Sequence, residues 1–260
     1  DGIPPQDRVT DINLMSRLRR ELGSGSFHLA KATALQLIRL APEHDFYRAK
    51  LAAAYLGLGQ IHEAARVIAE TKTISEANVD DFLRVAWALF DGNERESGLA
   101  LARRLVAAEE TAGGHMILAR MHRALGDDAE LNEAIGRALV LEPEHRGARL
   151  ERTAHLIETS NLERAERQVQ SLLADYPVDV QTNLTYARLL AAKEQYEMAL
   201  TRIERLLLLR PGACEAHLEY LTLLDELDRR VPAVEALRTM RKVCHDRDLL
   251  ARAEKLLEAP

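Results

Sequence analysis

Four prolines divide the chain at nearly equal intervals. Pro143, Pro177 and Pro211 are spaced by 34 residues each, and Pro42 lies 101 residues before Pro143, three such periods less one. The segments that lead into them agree: Leu40-Ala-Pro42, Leu141-Glu-Pro143, Asp175-Tyr-Pro177 and Leu209-Arg-Pro211. Proline cannot continue a helix and commonly stands just past a helix C-terminus, so each closes one repeat. In register, the repeats run over 11–44, 45–78, 79–111, 112–145, 146–179, 180–213 and 214–247. Residues 1–10 precede them as an N-terminal extension and 248–260 follow. The third repeat has 33 residues, and Gly92-Asn93 is the expected place of the missing one, because a turn absorbs it.

Each repeat carries two helical patterns. In the second, Leu51, Ala52 and Tyr55 recur at helical spacing, Gly59-Gln60 interrupts, and Ala64, Ile68 and Thr71 begin a new face. The fourth repeats this with Leu118, Ala119 and His122, then Gly126-Asp127, then Leu131, Ile135 and Ala138. Apolar residues at such offsets share one side of a helix. Aromatics are only 4% of the chain, so leucine and alanine must do the packing. The pattern predicts an all-α chain of antiparallel helix pairs. Leu249, Leu250, Ala253, Leu256 and Leu257 predict a capping helix over 248–260, with Arg247, Arg252, Glu254 and Lys255 facing water.

The chain resembles the tetratricopeptide repeat family, whose 34-residue unit has a small residue at place 8, Ala at place 20 and Pro at place 32. Place 8 here reads Leu18, Ala52, Ala86, Ala119, Thr153, Ala187 and Leu221. Place 20 reads Ala30, Ala64, Ser97, Leu131, Ala165, Ala199 and Ala233, and four of seven repeats keep the proline. Gly23-Ser-Gly-Ser26 loosens the first repeat, and Pro232 enters the second helix of the last. The resemblance implies a right-handed α-solenoid, a superhelix with a continuous, elongated core.

Little in the chain points to chemistry. The net charge is −6 with mixed signs, unlike the basic footprint of a nucleic-acid binder. The longest uncharged stretch is twelve residues, Leu51 to His62, and a membrane span needs about 20. His62-Glu63 begins like a zincin motif, but Arg66 stands where the second histidine belongs. His115 and His122 lie seven apart on one helix without further ligands, and His122 falls on the apolar side as a core histidine. Glu109-Glu110 and Asp127-Asp128 sit at junctions, where capping is the expected role. Neither a catalytic set, a metal site nor a cofactor is expected. Cys214 and Cys244 occupy opposite ends of one helix pair and so should be neighbours; two free thiols are the expectation and a bridge the alternative.

Binding remains. In the family that the chain resembles, the first helices of successive repeats line a concave groove that holds a peptide. On the matching places stand Trp87, Met116, Arg120, Arg123 and, farther along, Arg188, and Arg84, three before Trp87, shares its helix face. The last repeat gathers Glu215, Glu219, Asp225 and Glu226. Tryptophan and arginine commonly anchor interfaces. The expected partner is a protein or peptide, locally acidic, with an apolar anchor. Met15 and Arg19, or Ala49 and Ala53, stand where chaperone-clamp members of the family carry Lys and Asn, which disfavours that subfamily. The expectation is a non-catalytic scaffold, by analogy part of a bacterial envelope assembly such as exopolysaccharide export, in periplasm or cytoplasm. The alternative is the docking part of an enzyme whose catalytic domain lies outside this chain. A first residue of Asp1 rather than Met suits a processed chain or a segment.

Overall fold

The computed structural model describes the backbone of residues 5–258 and the side chains of 11–257. It is 81% helical, with fifteen helices and no strand among the described residues. The chain divides into two compact halves after His145. In the N-terminal half the pairs are α1 (Pro5–Gly23) with α2 (Phe27–Leu40), α3 (Asp45–Gly57) with α4 (Ile61–Ala69), α5 (Glu76–Asp91) with α6 (Arg95–Ala108), and α7 (Ala112–Leu125) with α8 (Asp128–Leu141). The C-terminal half holds α9 (Arg146–Glu158) with α10 (Leu162–Asp175), α11 (Val180–Ala192) with α12 (Tyr196–Leu209), α13 (Cys214–Glu226) with α14 (Arg230–Val243), and a final α15 (Arg247–Glu258). Helix α1 reaches into the stretch read as an extension, because Pro5 fits a first helical turn and no breaker follows it. Residues 1–4 and 259–260 of the expected termini lie outside the described ones.

Packing follows the repeat pattern. Within the first half, α5 packs on its partner α6 and also on α3 and α7, the first helices of its neighbours. All seven place-8 residues are buried, from Leu18 to Leu221. The four repeat prolines each stand two residues past a helix, at α2, α8, α10 and α12. Pro232 is accommodated because it falls in the first turn of α14, where a backbone N–H has no intrahelical acceptor. Helix α15 packs on α13 and α14, with Ala253 fully buried, as a cap must. Of its charges, Glu254 pairs with Arg241 at 2.7 Å rather than facing water alone. Cys214 and Cys244 form a disulfide, their Cα atoms 5.4 Å apart. Antiparallel pairing brings the start of α13 beside the end of α14.

The turns inside the pairs obey one rule. Gly25, Gly59, Asn93, Gly126, Ser160, Glu194 and Asp228 all have positive φ, and each stands at the fifteenth place of its repeat. The third repeat is therefore in register through its turn, and Gly92-Asn93 does not absorb the missing residue. The loss falls instead in the link Glu109–Thr111, which is one residue shorter than the links after α2, α8, α10 and α12. The close-packed twentieth place is thus Gly98, which is buried, and not the exposed Ser97.

Left-handed backbone costs a non-glycine residue about 1–2 kcal/mol, against roughly 0.4–1 kcal/mol for glycine's greater freedom when unfolded. Ser160→Gly and Glu194→Gly should each stabilise the chain by about 0.5–1 kcal/mol. Thermal unfolding followed by circular dichroism checks this; a fall in Tm for both would contradict it.

Candidate functional site

Trp87 is the centre of the candidate site. It lies on α5, partly buried, with one side of its indole against Phe90 at 5.8 Å between ring centroids. The Arg120 guanidinium, from α7, stands 4.4 Å from the indole centroid. The two helices pack directly, so places three apart on one meet a residue of the next. A guanidinium stacked on a partly exposed indole contributes roughly 0.5–1 kcal/mol. Arg120 is exposed and makes no ion pair among the described residues.

The other expected residues are placed differently. Arg84 is exposed and stands 3.9 Å from Asp81, whose carboxylate already accepts a 2.6 Å hydrogen bond from Lys50. Met116 is buried, only 8% exposed, and Arg123 is partly buried. Arg188 belongs to the C-terminal half. It donates two hydrogen bonds to Glu219, at 2.9 and 2.6 Å, and this carboxylate raises its pKa further. Its charge is largely spent inside the protein. The partner, 31 residues away on α13, was hidden in sequence because Glu219 read as part of a separate acidic cluster.

Around Arg188 lies a groove of about 440 Å³, lined among others by Leu184, Leu218, Glu219, Arg252 and Leu256. Arg252 was expected on the solvent side of the cap; it is exposed but borders this groove, without an ion pair among the described residues.

The histidines and acidic pairs serve structure. His122 is buried and its Nδ1 lies 3.3 Å from Asp127. His115 Nε2 lies 2.9 Å from Glu110, which also accepts from Arg137. Those two partners, His115 first, hold Glu110 below the usual carboxylate range. Asp127 was expected to cap α8 through its side chain, but it makes no cap hydrogen bond, since its carboxylate turns to His122. Among the described residues no group of three His, Cys, Asp or Glu side chains stands ready for a metal ion. No helix among them is long and apolar enough to cross a membrane.

No protein-family model and no curated protein matches the sequence. Solved structures do match its fold. A tetratricopeptide repeat protein from Parabacteroides merdae superposes with a TM-score of 0.74 at 14% identity, over 95% of this chain and 98% of that one. The Cut9–Hcn1 hetero-tetramer of the APC/C gives 0.65 at 16%, over 93% of this chain and 47% of that one. Yeast Tom70 gives 0.58 at 12%, over 90% and 58%. At such identities the likeness is one of fold, an all-α tetratricopeptide-type solenoid.

Proposed function

We propose that this tetratricopeptide-fold chain is a non-catalytic scaffold that binds a protein segment on the α5–α7 face. The observation that carries the reading is Trp87, the single tryptophan, held partly exposed between Phe90 and an Arg120 that makes no ion pair among the described residues. The indole offers a large apolar contact at little cost in side-chain entropy, and Arg120 offers a fork for a carboxylate beside it. Arg84 adds positive charge on the same helix face. The partner is therefore locally acidic and carries one large apolar residue. A match to a chain from a hetero-tetrameric assembly, Cut9–Hcn1, supports the scaffold class.

The lone tryptophan makes the test direct. Titration with a short peptide of several Asp or Glu around one Phe should give a saturable change in Trp87 fluorescence. A lysine-substituted version should not. By calorimetry, Trp87→Ala should weaken the acidic peptide by about 2 kcal/mol, roughly thirty-fold, with helicity retained. Arg120→Glu should mainly slow association, most at low salt. Unchanged affinity in a folded Trp87→Ala protein would remove this face from consideration, as would equal binding of both peptides.

A further inference from the structure

A second cavity, of about 380 Å³, lies between α11 and α12, and the scaffold reading makes no use of it. Its walls are Tyr186 and Leu190 from α11 and Glu197, Met198, Thr201, Arg202 and Arg205 from α12. Arg202 stacks on the Tyr186 ring, its guanidinium carbon 5.1 Å from the centroid. Its Nε is shut off from water and has no acceptor among the described residues. Neither Arg202 nor Arg205 makes an ion pair among those residues. The two carboxylates of α12 are committed to other partners. Glu197 accepts two hydrogen bonds from Arg229, which lower its pKa, and Glu204 accepts 2.6 Å from the Tyr220 hydroxyl. The Thr201 hydroxyl donates to the Glu197 carbonyl at 2.8 Å. Two cations thus face one cavity whose single lining carboxylate, Glu197, is already paired with Arg229.

A buried donor with no acceptor is costly, and a guanidinium is the donor that fits a carboxylate best, edge to edge. Tyr186 occupies one face of the Arg202 guanidinium, so binding must use its edges. Beside the charges and the Thr201 hydroxyl, the walls carry apolar surface: Leu190 is buried, and Met198 is exposed over 56% of its surface. Met is the side chain that adapts most readily to an apolar guest. The volume is that of a small-ligand site. We infer that this cavity binds a carboxylate borne on an apolar body, with Arg202 and Arg205 on the carboxylate and Met198 and Leu190 on the body.

The full chain, labelled with ¹⁵N-arginine, reports on this through the Arg202 Nε–H resonance, assigned by its loss in Arg202→Gln. Titration with 3-phenylpropanoate should shift it saturably, and the neutral 3-phenylpropanamide should bind at least ten-fold more weakly. Arg205→Gln, an exposed change that leaves the fold intact, should weaken the acid about ten-fold. Arg202→Lys, which keeps the charge and loses the fork, should weaken it comparably. A blocked peptide with Glu beside Phe forms the second arm. Tighter binding of the free acid identifies a small-molecule site, and tighter binding of the peptide identifies the side chain of a partner. The inference is overturned if acid and amide bind alike, if neither acid nor peptide shifts the resonance, or if Arg205→Gln and Arg202→Lys both bind the acid as the parent chain does.

Discussion

Gly98→Val should cost the protein more than about 4 kcal/mol, and Gly98→Ala about 2 kcal/mol net. A Cβ built on Gly98 would stand 2.6 Å from the Ala86 carbonyl oxygen and 2.6 Å from the Phe90 backbone nitrogen. These atoms belong to α5 itself, so no rotamer change relieves the contact; α5 and α6 must move apart. Overpacking of a tight core commonly costs about 1–3 kcal/mol per added group, and alanine regains about 1 kcal/mol of helix propensity. A matched control lies one repeat on. A Cβ on Gly136, in α8, meets nothing within 4 Å. There Gly136→Ala should stabilise by up to about 1 kcal/mol. The same substitution thus has opposite signs at two helical glycines. At roughly 2–4 °C per kcal/mol for chains of this size, both effects are visible in thermal unfolding. A Gly98→Ala protein that melts at or above the parent's temperature would contradict the close approach of α5 and α6.

Reduction of the Cys214–Cys244 disulfide should lower stability by about 3.5 kcal/mol. The bridge spans 30 residues of sequence, and chain-entropy arguments give roughly that value for a loop of this length. The loop encloses α13 and α14, against which α15 packs, so the loss should appear as earlier melting of the C-terminal end. Calorimetry with and without reductant measures it. The Cys214→Ala/Cys244→Ala double variant should melt like the reduced chain and ignore the reductant. Identical melting of oxidised and reduced parent chain, together with two thiols alkylated before reduction, would sink the prediction.

Much of the fold was legible because its determinants are local. The prolines past α2, α8, α10 and α12 and the apolar faces around Ala52, Ala119 and Ala187 act within a few residues of themselves. The final helix was readable for the same reason: its leucines recur at helical spacing, and Ala253 is where the cap meets the seventh repeat. Even the positive-φ place was half visible, as glycine in three turns; Ser160, Glu194 and Asp228 conceal it in others, since the turn's geometry outweighs their preference.

The site was legible only in part. Trp87 and Arg120 meet as their places suggested, because both lie on first helices that pack directly. Local pattern was enough to show that the chain forms helix pairs and which faces they bury, but not that α1 starts at Pro5 or that the third repeat loses its residue after α6. Tertiary structure alone decided which charges stay free. Arg188 and Arg202 look alike in sequence, each on an amphipathic helix among carboxylates. Glu219 reaches Arg188 across two helices and neutralises it, while Glu197 is drawn to Arg229 and Glu204 to Tyr220, leaving Arg202 without an ion pair among the described residues. Helical periodicity sets direction to within a face of the helix. Ion pairing depends on ångström distances between side chains of different helices, which only the packed stack defines.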